Sequence, residues 1–248
     1  MVTSLYNQLP MQCLKIIGLI STFRLLGRTS PLTIYGPVGI KEIITLQLKH
    51  AKSWTNYPLH FHELTLKTSE VIFEDESIRI QTLPLDHRVY TNGFLFSTVS
   101  TNRKINANKL TSFDLKPFHF QQLQKGESIT LDDGRVLENE VYTIEAEASK
   151  KYAYCSDTAY FEPLIPLIKE VDLLYHESTF TETNSELAKK TKHSTALQAA
   201  TIASKAMVKK LILGHFSNRY PDKKIFIEEA SKVYENVILA EDLKTFSI

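Results

Sequence analysis

The sequence predicts a layered α/β fold, and three observations carry the prediction. Short apolar runs alternate with segments of helical spacing, above all after Tyr152, the pattern of parallel strands joined by covering helices. Polar segments rich in His, Asp and Glu arrive at the ends of strand-like runs: Pro84-Leu85-Asp86-His87, Cys155-Ser156-Asp157-Thr158, His176-Glu177-Ser178-Thr179 and Gly214-His215-Phe216-Ser217-Asn218-Arg219-Tyr220. Strand C-termini are where such folds build their sites. Finally, 248 residues suffice for one large α/β domain over 1–248 with a full core.

Residues 1–15 show no clear period. Ile16–Leu26 reads as an apolar helix ended by Gly27, and Leu32–Tyr35 as a strand stopped by Gly36-Pro37. Val38–His50 follows as a helix, with Ile40, Ile43, Ile44 and Leu48 at helical spacing. Strands are expected over Leu59–Leu66, Glu70–Phe73 and Ser77–Leu83, and a return strand over Tyr90–Val99, in which Gly93 admits a close approach. Thr101–Lys125 is basic, aromatic and poorly periodic, which suits a protruding excursion. Ser128–Val136 predicts a hairpin around Asp132-Asp133-Gly134. Tyr152–Cys155, Asp172–Tyr175 and Leu211–Leu213 are expected strands, Thr195–Lys209 a helix capped by Ser194, and Phe226–Tyr234 a further helix.

Composition narrows the classes. Lys and Arg number 29 against 28 Asp and Glu, so no overall basic field advertises nucleic acid, although a local patch suffices for RNA. Cys13 and Cys155 are the only cysteines, which excludes a disulfide framework and favours a reducing, cytoplasmic setting. The longest apolar stretch, Ile16–Phe23, is too short to span a bilayer, and no signal peptide is expected at the start.

Metal ligands and acid/base groups spaced in this way make a metallohydrolase site the first hypothesis. His87 is placed as a fixed imidazole, a ligand or a structural group. Asp157 leaves a carboxylate at the sheet edge, as a ligand or as the cap of the next turn. His215 is another strand-end imidazole, with Arg219 four residues on, whose fork suits phosphate oxygens. His176, Glu177 and His193 form a second polar set, either an acid/base pair or ties between loops. His193 precedes a helix N-terminus, where the dipole disfavours imidazolium, so a carboxylate must offset that effect. His60-Phe61-His62 is metal-like in spacing, but Glu63-Leu64 follows it, and a structural or surface role is expected. His50 and His119 are expected to be exposed, and nothing around Cys13 supports a role as a soft zinc ligand.

Taken in order, these segments resemble ribonuclease Z, the transfer-RNA 3′-processing endonuclease family of the metallo-β-lactamase superfamily. Gly18-Leu19-Ile20-Ser21-Thr22 with Leu25-Leu26-Gly27-Arg28 looks like the helix after that family's metal motif, and Pro31–Pro37 like the strand that follows it. Pro84–His87, Ser156–Thr158, His176–Thr179, His193-Ser194-Thr195 and His215-Phe216-Ser217 with Arg219-Tyr220 resemble the later motifs, and Ile238–Leu243 the C-terminal strand. The likeness covers about Ile16 to Ile248.

The resemblance implies a four-layer αβ/βα sandwich holding two Zn2+ ions, with His87 on one metal, His215 on the other and Asp157 between them. Glu177 and His193, with His176 beside them, would help the leaving group, and Arg219 would hold phosphate. The implied substrate is precursor tRNA, and the implied assembly a homodimer with no membrane association. Thr101–Lys125 takes the place of the family's tRNA-binding arm, without its glycine-proline-rich tip. The family's His-x-His-x-Asp-His cluster is absent; residues 8–14 stand where it is expected. Each zinc would then keep Asp157 and one histidine, where catalytic zinc usually has three protein ligands. The expectation is an N-terminally truncated version of the fold, with exposed apolar sheet surface, weak metal binding and little or no hydrolysis. Two alternatives stand beside it: a non-catalytic RNA-binding or dimerising homologue, and another hydrolase of the same fold acting on a small molecule.

Overall fold

The computed structural model describes residues 2–5, 11–99, 102–146 and 148–248, and divides into two compact units. The larger comprises the chain up to Ile72, Ile80–Phe96 and Lys151–Ile248. It opens with β1 (Val2–Leu5), α1 (Met11–Leu25), β2 (Leu32–Pro37), α2 (Ile40–His50) and β3 (Leu59–Leu64). β1 and β3 both pair in parallel with β2, which is buried along its whole length as the middle strand. The helices lie on this sheet because Ile16 and Ile20 of α1 and Ile40, Ile44 and Leu48 of α2 recur every four residues and bury against Leu32, Ile34 and Tyr57. Strand β1 falls within residues that show no period; its backbone pairing with Leu32–Tyr35, a tertiary contact, is what orders it. Of the segment expected to replace the metal motif, residues 8–10 lie outside the described residues, and Met11 onward is helix.

Next come β4 (Val71–Glu74), β5 (Ile78–Pro84) and β6 (Asn92–Thr98). The smaller unit, Phe73–Arg79 with Ser97–Lys150, contains β7 (Lys104–Ile105), α3 (Ala107–Leu110), α4 (Pro117–Gln124), β8 (Ile129–Thr130), β9 (Val136–Leu137), α5 (Asn139–Tyr142) and β10 (Thr143–Ile144). β8 and β9 form the expected hairpin, and Gly134 takes the left-handed backbone, φ 83°, that the Asp-Asp-Gly turn requires. Leu110, Leu123, Ile129 and Leu137 give this unit a small core of its own. His119, expected to be exposed, is buried: its Nδ1 accepts from the Lys116 backbone N–H at 3.2 Å, capping the start of α4. Short-range capping chemistry, invisible to periodicity, draws it in.

The larger unit resumes with β11 (Lys151–Cys155), β12 (Leu173–Glu177), α6 (Ser185–Thr191), α7 (Ala196–Lys205), β13 (Leu211–Gly214), α8 (Lys224–Ala230) and β14 (Val237–Leu239). The resulting seven-stranded sheet runs β14-β13-β12-β11-β6-β5-β4, and β11 to β14 are all parallel. Thr195, rather than Ser194, caps α7, accepting from Gln198 N–H at 3.2 Å in a capping box. One face of this sheet packs Ala153, Cys155, Leu174, Leu211 and Leu213 under the alanines of α7. On its other face Tyr154 stacks on Tyr175 at 4.8 Å, and Tyr35, Leu64 and Phe94 join the two sheets. Gly93 and Gly214 are where this layer needs glycine. A Cβ at Gly93 would stand 2.6 Å from the Tyr154 carbonyl oxygen, and one at Gly214 would strike the Tyr175 ring. Helices on one sheet, two facing sheets and helices on the other give a sandwich of four layers.

Candidate metal centre

The site is built where the parallel strands end. Register sets Cys155 beside His176 and Glu177 beside Gly214, so the residues that follow β11, β12 and β13 emerge along one edge. Asp157 follows β11, Glu177 closes β12 with Ser178 and Thr179 after it, and His215 follows β13. His193 reaches the same place from the turn before α7, and His87 from the turn after β5.

Glu177 is the keystone. Its carboxylate is wholly buried, and each of its partners among the described residues is a donor: Thr158 N–H at 3.0 Å, Thr179 N–H at 2.9 Å, the Thr179 hydroxyl at 2.8 Å and His193 Nδ1 at 2.7 Å. Thr179 spends its single hydroxyl proton on Glu177, so at His215 its oxygen accepts from Nδ1, 2.9 Å away. The Lys192 carbonyl likewise can only accept, and takes the Nδ1 proton of His87 at 2.8 Å. Proton inventory therefore fixes the tautomer that His87, His193 and His215 each take when neutral: Nδ1 donates, which leaves the Nε2 lone pair for a ligand. An acceptor behind the ring is the usual support of a metal-binding imidazole.

Three of these groups converge. One ligand atom each from Asp157, His193 and His215 lies within 4.8 Å of the others, and His215 Nε2 is 3.3 Å from Asp157 Oδ1. Burial pushes the Asp157 carboxyl up, but His215, the 2.9 Å hydrogen bond from Ser156 and His193 outweigh it and leave it below the usual range. The group is therefore an anion near neutral pH. For His193 burial pushes downward, and Glu177, through its hydrogen bond and its charge, raises it above the ordinary value with help from Asp157. This supplies the carboxylate that the helix dipole made necessary. A buried anion with two oriented imidazoles is a donor set that a divalent metal fits. His215 also takes a left-handed backbone, φ 58°, unusual for a side chain of its size and of the kind that collects at functional positions.

The expected site residues fall into four places. Asp157 and His215 lie in the cluster, and so does His193, expected beside Glu177 as acid/base and now also within donor range. His87 stands alongside, its ring centre 5.0 Å from that of His193. His176 is turned away: alternation along β12 puts it on the face of Leu174, fully buried, with Nδ1 on the Glu177 carbonyl at 2.7 Å and burial lowering its basicity. Arg219 is exposed on the loop beyond His215, and its guanidinium has no ion-pair partner among the described residues. Sequence reasoning missed Lys192. Its backbone is left-handed, φ 61°, which aims its carbonyl at His87, while its ammonium reaches Asp86 at 2.7 Å. It also missed Thr179 as the relay between Glu177 and His215. The only advance signal for either was adjacency to a histidine or glutamate already singled out.

No protein-family model matched the chain. Curated relatives do match. Ribonuclease Z of Cytophaga hutchinsonii is 41% identical over 235 residues, covering 94% of this chain and 74% of its own. That of Phocaeicola vulgatus is 39% identical over 236 residues, covering 95% and 76%. This chain belongs to the ribonuclease Z family. Among solved structures, human tRNase Z, short form, matches with TM-score 0.66 at 24% identity, over 100% of this chain and 79% of that one. The metallo-β-lactamase fold protein YhfI of Bacillus subtilis matches with TM-score 0.60 at 16% identity, over 97% and 75%. The layered sandwich is therefore the metallo-β-lactamase fold, as the motifs implied. The ribonuclease Z family is one of endoribonucleases. No helix among the described residues is long and apolar enough to cross a membrane.

Proposed function

We propose that this chain is an endoribonuclease of the ribonuclease Z type, acting on the 3′ end of precursor tRNA. The observation that carries the reading is the convergence of Asp157, His193 and His215 within 4.8 Å in a chain whose relatives are named Ribonuclease Z. Asp157 and His215 are assigned as ligands of Zn2+, with His87 as a further ligand from the adjacent turn. A bound metal would supply Lewis acidity and lower the pKa of a water held on it. Glu177 holds His193 at 2.7 Å and favours its protonated form, so His193 can give a proton to the leaving oxygen. Arg219 is assigned to the phosphate, which its planar fork can bind through two oxygens.

The smaller unit is assigned to the RNA backbone; Arg103, Lys104, Lys109, Lys116 and Lys125 supply the charge. A cytoplasmic homodimer completes the reading, on the family resemblance alone. The 248-residue sequence contains no His-x-His-x-Asp-His, so its own donors are few for two metals, and cleavage by it alone is expected to be weak. The test is cleavage of a 3′-extended precursor tRNA by the purified chain with zinc or manganese, beside His215→Ala and beside the chain joined to a family segment carrying that cluster. Slow 3′ cleavage, lost in His215→Ala and raised in the fusion, supports the reading. No cleavage by either protein refutes it, and undiminished cleavage by His215→Ala refutes the assigned site.

A further inference from the structure

A second binding feature lies beside His87, the one residue of its lining that the chemistry above uses. The turn from Pro84 to Asn92, with Lys67 and Phe161, encloses a cavity of about 330 Å³, and His87 is part of its wall. That volume is at the small end for ligand pockets, which run from roughly 300 to 1,000 Å³. It has room for one small ligand. Asp86 is the sole acidic residue of the lining, and the Lys192 ammonium at 2.7 Å already neutralises it. Lys67 and Arg88 are exposed, and neither has an ion-pair or hydrogen-bond partner among the described residues. The lining thus carries two unneutralised cations. Its aromatic side is rigid: the Tyr90 hydroxyl donates to the Leu66 carbonyl at 2.9 Å and accepts from Asn92 Nδ2 at 2.9 Å, with Asn92 buried behind it. Phe161 faces the same space, half-buried. Arg88 is also near enough to His193 for its charge to oppose protonation there, so the cavity and the metal centre are neighbours.

Two free cations and two aromatic rings in a space this size match a phosphate joined to a base. We propose that this cavity is a nucleotide subsite, taking one ribonucleotide of the RNA next to the cleaved linkage, its phosphate on Lys67 and Arg88 and its base against Tyr90 and Phe161. The proposal rests on the ribonuclease reading for the word RNA, and on the cavity alone for the nucleotide.

The test titrates the full chain, with EDTA present to keep phosphate off any metal, with adenosine 5′-monophosphate, inorganic phosphate and adenosine in turn, followed by NMR. Adenosine 5′-monophosphate is expected to bind at least about fivefold tighter than either fragment, as two joined contacts should. Arg88→Ala and Phe161→Ala should each weaken it about fivefold or more, with Arg88→Lys restoring part of the loss. With precursor tRNA, Arg88→Ala and Lys67→Ala should raise KM more than they lower kcat, and each should reduce the salt slope of RNA binding by about one. Equal binding of phosphate and nucleotide, or binding indifferent to Arg88 and Phe161, overturns the subsite. The two readings fail separately. A chain that cuts precursor tRNA with KM indifferent to Arg88 and Lys67 loses the subsite and keeps the reaction. A chain that binds the nucleotide through Arg88 and Phe161 but cuts no tRNA keeps the subsite and loses the reaction.

Discussion

Two histidine pairs in this molecule, one close in sequence and one distant, differ in what stands behind their rings. His60 and His62 stand two apart on β3, the spacing of a familiar metal motif, yet both are exposed, and the contact His62 makes is a stack on Tyr35 at 4.7 Å. His193 and His215 stand far apart in the chain and meet Asp157 over buried carboxylate and hydroxyl acceptors that fix both rings. What brings an imidazole into the metal centre here is the acceptor behind Nδ1 and a neighbouring anion. Spacing along a strand supplies neither.

The largest effect that would break this comparison is at Asp157. Asp157→Ala removes the anion of the cluster and should lower zinc affinity by more than the 10- to 100-fold typical of a supporting residue. Zinc titration with a competing chelator measures it, and a change under tenfold would place the metal elsewhere. Glu177→Gln comes next. It puts an amide N–H among the four donors that now meet a carboxylate, so one buried contact becomes donor to donor. A loss of about 3 kcal/mol in denaturant unfolding is expected, with about tenfold weaker zinc binding.

Lys192 gives a sharper, smaller comparison. Lys192→Gly relaxes the left-handed backbone while keeping the carbonyl on His87, and loses a partly exposed ion pair worth under about 1 kcal/mol. Lys192→Val adds a β-branched side chain where φ is positive, and should be less stable than Lys192→Gly by about 1–2 kcal/mol. Thermal unfolding of both, with zinc affinity alongside, decides it: equal losses would mean that the side chain, not the carbonyl, holds the His87 turn.

The pH response follows from His193. Its basicity is raised in the folded, metal-free chain, so protonation favours the fold. That contribution is whole below the unfolded value of 6.5 and fades as pH rises through the higher folded value. Stability of the metal-free chain should therefore fall over that interval, with a flatter profile in Glu177→Gln. Zinc binding should run the other way, strengthening as pH rises, because an imidazolium at His193 repels the cation held beside it. The smallest effect expected is none: the double substitution His60→Ala, His62→Ala should leave zinc affinity unchanged within about twofold. A tenfold loss there would make the β3 pair a metal site after all.

The fold could be read from the sequence because its signals are local. Alternating strands and helices after Tyr152, the four-residue recurrence in α2 and the Asp-Asp-Gly turn each act over one element, and each recurs in the structure. His119, Ser194 and β1 could not be read so, since a capping bond, a one-residue shift of the cap and a long-range strand pairing decide them.

The same division runs through the site. By itself the sequence determined which segments carry chemistry, because strand ends rich in His, Asp and Glu are recognisable before any folding is known. It placed Glu177, His176 and His193 in one set without telling them apart. Only tertiary structure separated them: the two-residue period of β12 sends Glu177 to the donors and buries His176 under the helices. Only tertiary structure recruited Thr179 and Lys192, through a single hydroxyl proton and one left-handed carbonyl. The physical reason is that residue type limits what a side chain can donate or accept, whereas the direction of each proton is fixed by the partner that folding brings to it.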